Sequence, residues 1–166
     1  MGIAAQNTAY VFVGTATTGG TAPGGASPPT GCTISGTTAD VSSWAYQVKC
    51  GDRYAMLDAT VFGLGGFASF VRGIKSADFE ILFFQDFAAA SINVYLGPNG
   101  TISTANADGS FFIEVRGSSA ARSTTNPGFI AKVLYGGSMA FDAKAGELPL
   151  FGITLQQTGG FAELVA

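Results

Sequence analysis

Apolar residues recur along this chain mainly with a period of two, the repeat of a strand with one covered face. Residues 9–13 open with a short strand pattern, AYVFV. In residues 41–50, Trp44, Tyr46, Val48 and Cys50 fall on one face, with Ser43, Ala45, Gln47 and Lys49 on the other. Residues 67–71 form a possible strand, and residues 55–61 are ambiguous. Residues 111–116 alternate with Phe111, Ile113 and Val115 inward and Phe112, Glu114 and Arg116 outward. Residues 129–135 follow the turn Asn126-Pro127-Gly128. Residues 148–156 set Phe151, Ile153 and Leu155 on one face. Residues 79–84, FEILFF, break the alternation: Phe79, Ile81 and Phe83 point one way, and Leu82 and Phe84 point the other. A strand apolar on both faces must be covered on both. The cover is either an adjacent helix or a neighbouring subunit.

One segment changes period. From Asp86, a good N-cap whose carboxylate can accept first-turn N–H groups, residues Phe87, Ala90, Ser91, Val94 and Tyr95 recur at helical spacing. Gly97-Pro98 ends the pattern. The expectation is one short flanking α-helix over about 86–97, with its stripe packed on a sheet. Asn99-Gly100 then marks a turn. About seven strands, many glycine turns and one helix predict a mainly β fold. It is a β-sandwich or barrel of two packed antiparallel sheets in a single domain, residues 1–166.

The start of the chain differs from the rest. No charged residue precedes Asp40, and residues 15–31 hold five Gly and three Pro in 17 positions. Such a segment cannot pack a core of its own. The expectation is a flexible arm or loop that orders on contact with a partner. With Leu82 and Phe84, its residues Thr18, Gly19, Gly20, Thr21 and Pro23 are the candidate inter-subunit contacts.

Composition supports association. Charged residues are 11% of the 166-residue chain and Gly alone counts 24; an average globular domain carries about 25% charged residues. A surface poor in charge suits a subunit buried among neighbours. The net charge is -3 and the eight Lys and Arg are dispersed. That argues against a phosphate-binding groove, which needs clustered cations. Cys32 and Cys50 are expected as free thiols, because residues 1–6 show neither a basic start nor an apolar core. No run of apolar residues reaches membrane-span length. With no histidine in the chain, Ser-His-Asp and Cys-His arrangements are excluded. No phosphate-binding or calcium loop motif occurs. Asp78 and Glu80 share a strand face about 7 Å apart, which reads as a solvated face rather than an acid/base pair. No catalytic, cofactor-binding or metal-ligating residues are expected, and no enzyme activity.

An ordered series of short motifs resembles the major tail (tail tube) proteins of long-tailed bacteriophages. It runs through residues 40–44 (DVSSW), 58–63 (DATVFG), 73–79 (GIKSADF), 84–89 (FQDFAA), 118–121 (SSAA), 125–129 (TNPGF) and 145–147 (AGE). The resemblance covers roughly residues 40 to 166. It implies a virion protein whose subunits form hexameric rings, with sheets joined into an inner barrel, and rings stacked into a tube. DNA would pass through the lumen during ejection without sequence-specific binding. The implied partners are further copies of the chain and other tail proteins such as tape measure and terminator, with assembly in the host cytoplasm and no membrane. Two other readings fit a sandwich fold: a capsid decoration protein, or a non-viral binding module. The binding module would want exposed aromatic platforms, whereas the face of Trp44, the only tryptophan, reads as buried.

Overall fold

The computed structural model describes residues 9–23, 30–58, 70–86 and 91–165. They form seven strands: β1 (Tyr10–Thr18), β2 (Thr33–Asp40), β3 (Ala45–Asp58), β4 (Phe70–Phe84), β5 (Ser110–Arg116), β6 (Gly128–Asp142) and β7 (Leu150–Leu164). A 3-10 turn (Ser42–Trp44) and one α-helix, α1 (Ile92–Leu96), complete the described elements. The strands make one sheet in the order β2-β1-β5-β6-β7-β4-β3, antiparallel throughout.

The chain forces this sheet to curl. β2 and β3 are its two opposite edges, yet only residues 41–44 connect them. In a flat sheet those edges would lie about 29 Å apart, at about 4.8 Å per strand. The five Cα steps from Asp40 to Ala45 reach at most about 18 Å. The edges are therefore drawn together into an open barrel around the face to which the link contributes Val41 and Trp44. That face holds the main core: Val11 and Val13, Phe79, Ile81 and Phe83, Phe111 and Ile113, and Phe151, Ile153 and Leu155. The two layers expected from the alternation are thus opposite walls of one continuous sheet.

Helix α1 caps this core, but not as its sequence pattern reads. It begins at Ile92 with Ser91 at the N-cap and ends at Gly97. Asp86 is not the N-cap of α1; its carboxylate accepts the Trp44 indole N–H at 3.2 Å. Phe87 and Ala90 lie outside the described residues. Ile92 and Leu96, four apart, face the core, while Val94 is exposed.

Two other differences have local causes. A β-bulge between Ala45 and Gln47 turns Tyr46 away from Trp44, Val48 and Cys50. Those three pack on the core, whereas Tyr46 is 59% exposed. Residues 15–18, expected in the arm, belong to β1 and pair with β2. The expected strands at 129–135 and 148–156 run on through glycines to Asp142 and Leu164.

Candidate self-association surfaces

β3 and β4 pair along their whole length, from Ala45↔Phe83 to Asp58↔Phe70. The pairing of β4 with β7 stops at Asp78↔Gln156. Beyond that point the β3–β4 hairpin leaves the sheet as a two-stranded arm about 26 Å long, eight residues at about 3.3 Å each. It carries exposed charged residues, Asp58 and Arg72 among them, but also bare apolar ones. Met56 and Leu57 are 60% and 54% exposed, and Phe70 and Val71 are 56% and 50% exposed. Adjacent residues of a strand point to opposite faces, so neither face of the arm is covered. Tyr54, also exposed, stacks under Arg72, whose guanidinium carbon is 5.1 Å from the ring centroid. Among the described residues, no strand pairs with the outer edge of β4 from Phe70 to Ala77.

A cleft of about 630 Å³ opens where the arm leaves the sheet, lined by Lys49, Gly51, Asp78, Glu80, Thr154 and Gln156 among others. The two carboxylates share a face, as their spacing predicts, but each has its own partner. Gln156 donates to Asp78 at 3.0 Å, and Lys49 lies 3.1 Å from Glu80. The Lys49–Glu80 pair is solvated and contributes little. Among the described residues no group of three or more metal-ligating side chains is placed to hold an ion.

At the other end of β4 lies a second apolar surface. Phe79, Ile81 and Phe83 are fully buried in the core, together with α1. Leu82 and Phe84, on the reverse face, are only half-buried, and α1 does not cover them. Phe84 packs on Tyr46, ring centroids 5.2 Å apart. Leu82 faces Gly152, where a Cβ would lie 3.0 Å from Leu82 Cδ2 and 3.4 Å from Met139 Cε. Leu82 and Met139 thus close over Gly152, which is buried, and a small pocket of about 120 Å³ is lined by Glu80, Leu82, Met139, Gly152, Ile153 and Thr154. Phe141 and Leu148, both exposed, continue the surface toward the tip of the β6–β7 hairpin.

The glycine-rich segment is more ordered at its base than its composition implies. Thr18 ends β1, and Gly19 and Gly20 then bend the chain with positive φ. Thr21 and Thr30 exchange two backbone hydrogen bonds, 2.8 and 3.1 Å. A Cβ on Gly20 would collide with the Thr30 carbonyl. Pro23 is buried, and residues 24–29 lie outside the described set. The structure therefore gathers Thr18, Gly19, Gly20 and Thr21 on one hairpin and Leu82 and Phe84 on the reverse sheet face.

Sequence reasoning missed the anchor of that hairpin. Glu114, expected on an outward, wet face, is 4% exposed. Arg122 grips it with two hydrogen bonds of 2.7 Å and donates a third, also 2.7 Å, to the Cys32 carbonyl. Arg116 Nε sits 3.2 Å from Glu114 as an ion pair without hydrogen-bond alignment. The Arg116 guanidinium carbon lies 4.1 Å from the Tyr10 ring centroid. Beside the pair, Cys32, Ile34, Ile130 and Leu164 form a small second core with Phe12 and Phe112. Burial pushes the Cys32 thiol above its usual range. The outward face of β5 is thus covered by the chain's own loops. The usable signal was Arg122 itself, a charge in a turn otherwise built of small residues.

No protein-family model matches the sequence, and no curated protein matches it significantly. The fold has clear likenesses among solved structures. The SPP1 tail tube, solved by solid-state NMR and cryo-EM, matches 99% of this chain and 81% of its own at a TM-score of 0.60 and 7% identity. A chain in the tail of an empty gene transfer agent particle, refined with C6 symmetry, matches 78% of this chain and 87% of its own at 0.53 and 9%. A chain in the virion of a native gene transfer agent matches 76% and 88% at 0.52 and 8%. This chain has the fold found in tail tubes.

Proposed function

We propose that the protein is a structural subunit that self-assembles into the tube of a phage-like tail. The observation that carries this reading is the β3–β4 arm, which leaves Met56, Leu57, Phe70 and Val71 bare on its two faces in the single chain. Exposed apolar side chains grouped in this way mark an interaction site, and the fold likeness to assembled tails supports self-assembly as the interaction. Rings of copies, hexameric as in the C6 tail, would stack into a conduit for DNA. The polar part of the reverse sheet face suits such a passage. It sets Asp78 and Glu80 against one ammonium, Lys49, so a polyanion would find no cationic groove to bind. The protein acts without catalysis and without a cofactor. Its partners are further copies and, at the tube ends and lumen, other tail proteins such as terminator and tape measure. It resides in the virion tail after assembly in the host cytoplasm.

The reading is tested by negative-stain electron microscopy of the purified chain. Rings or tubes are expected. A monodisperse monomer at high concentration would overturn it. Capsid labelling by the tagged chain would move it to the head surface.

A further inference from the structure

Asn99 is the one asparagine of the chain that glycine follows, and the fold makes that glycine obligatory. The turn over residues 97–100 closes the end of α1. Gly100 N–H donates to the Gly97 carbonyl at 2.9 Å, and Gly97 N–H to the Asn93 carbonyl at 3.0 Å. A Cβ on Gly100 would lie 2.3 Å from the Tyr95 carbonyl oxygen, so only glycine fits against the last turn of the helix. Asn99 itself is exposed, and its side-chain amide has no hydrogen-bond partner among the described residues. An unengaged side-chain amide followed by an unhindered backbone nitrogen is the pair that cyclises in polypeptides. The chain's Asp-Gly pair, Asp108-Gly109, is the acidic counterpart, but it is disarmed. Its carboxylate accepts from the Ser110 N–H and hydroxyl and from Lys132, and an ionised carboxylate resists a nucleophile.

We propose that Asn99 is a spontaneous deamidation site that the folded turn holds shut. In the reaction the Gly100 nitrogen attacks Asn99 Cγ. An N–Cγ bond forms, the Cγ–Nδ2 bond breaks, and ammonia leaves with the amide proton. Water then opens the five-membered succinimide at either carbonyl, giving aspartate or the β-linked isoaspartate; nothing is oxidised or reduced. The native turn blocks the first step. Gly100 N–H is committed to the Gly97 carbonyl, and its nitrogen reaches Cγ only when that bond opens. The bond is backed by its surroundings. Ser103 Oγ also donates to the Gly97 carbonyl, at 2.7 Å, and Thr101 N–H and Ile102 N–H hold the following chain to the Val94 and Tyr95 carbonyls. Isoaspartate adds a carbon to the main chain of this pinned turn, so Gly100 loses its place beside Tyr95. Helix α1, whose Ile92 and Leu96 are buried on the core, is then loosened. A chain that lingers unfolded is marked irreversibly by the reaction, whereas a folded one is spared. The proposal does not depend on self-assembly.

The test is peptide mapping by mass spectrometry after incubating the full chain at one mildly alkaline pH, native and in guanidinium chloride. The unfolded chain should deamidate at Asn99 ahead of Asn93, Asn106 and Asn126. The native chain should do so about tenfold more slowly, the factor that one net hydrogen bond is worth. Pro98→Ala, at an exposed position, frees the φ that proline fixes inside the turn. It should raise the native rate and leave the unfolded rate unchanged, with circular dichroism checking that the variant folds. Equal rates in the native and unfolded chain, or a native Pro98→Ala rate equal to the parent's, would overturn the gate. Lack of preference for Asn99 in the unfolded chain would overturn the site. The native rate should also be independent of protein concentration. A rate that rises on dilution would overturn the proposal by showing that contacts between copies, not the turn, protect Asn99.

Discussion

Removing one partner of the Glu114–Arg122 pair should cost far more than removing both. Glu114→Ala leaves the Arg122 guanidinium, its side chain only 15% exposed, without the two 2.7 Å bonds that compensate its desolvation. Breaking a buried pair in this way costs about 3–5 kcal/mol. For a domain of this size, about 2–4 °C of melting temperature per kcal/mol gives a fall on the order of 10 °C. Arg122→Ala should cost a similar amount, because Glu114 keeps only the poorly aligned Arg116 and the Cys32 carbonyl loses its donor. The double variant Glu114→Leu, Arg122→Met removes both charges and fills the space with apolar atoms. It should lie within about 1–2 kcal/mol of the parent, the remainder being the lost bond to Cys32. Urea unfolding, which leaves ionic strength unchanged, measures the parent and the three variants on one scale, and the singles Glu114→Leu and Arg122→Met close the double-mutant cycle. A single variant costing under about 1 kcal/mol, or a double variant equal to the sum of the singles, would refute the reasoning and show that the pair is solvated.

Leu82→Asp and Phe84→Asp should leave a folded monomer and abolish assembly, since α1 lies on the opposite face; sedimentation velocity reads both, and normal polymers from either would mean that this face stays wet. The Asp108 carboxyl is held down at about 2 by hydrogen bonds from the Ser110 side chain and backbone and from Lys132. A depressed carboxylate stabilises above its unfolded pKa, here about 3.9, and that contribution fades as pH falls toward 2. Asp108→Asn should therefore flatten the stability-versus-pH curve between about pH 4 and 2, and an unchanged slope would contradict this. Both cysteines are free in the fold, and Cys32 is fully buried with its thiol pushed up. Alkylation of the native protein should thus label Cys50 first and Cys32 only on unfolding, with mass spectrometry locating the label.

The parts of the fold that could be read from the sequence are those where one strand face is buried and the other wet. Phe111, Ile113 and Val115 alternate cleanly, as do Phe151, Ile153 and Leu155, and each set lies in the core. The doubly apolar strand was also visible, and Leu82 and Phe84 do lie on a face that the chain leaves half-covered. Three features were hidden for physical reasons. The bulge before Gln47 shifts the pleat by one residue, and no residue type announces it. β2, TISGTTAD, carries a single large apolar residue, Ile34, so its pattern is that of a loop; pairing with β1 makes it a strand. The arm was unreadable because a strand bare on both faces has no alternation to find. Its apolar residues look like a weak core strand, and only the end of the β4–β7 ladder shows that there is no core beneath them. The glycine-rich segment drew attention by composition, yet the structure provides a larger apolar surface on the β3–β4 arm.

The central claim is that this arm makes the protein a polymer, and shortening the arm tests it most directly. Replacing residues 54–75 by Asn-Gly closes the hairpin at the Arg53↔Ser76 pair with a favoured two-residue turn and removes the bare apolar residues. The shortened and full-length chains are compared by electron microscopy at equal concentration, with circular dichroism confirming a folded sheet in both. The account predicts tubes or rings from the full-length chain and only folded monomer from the shortened one. Tubes of normal length from the shortened chain would contradict it.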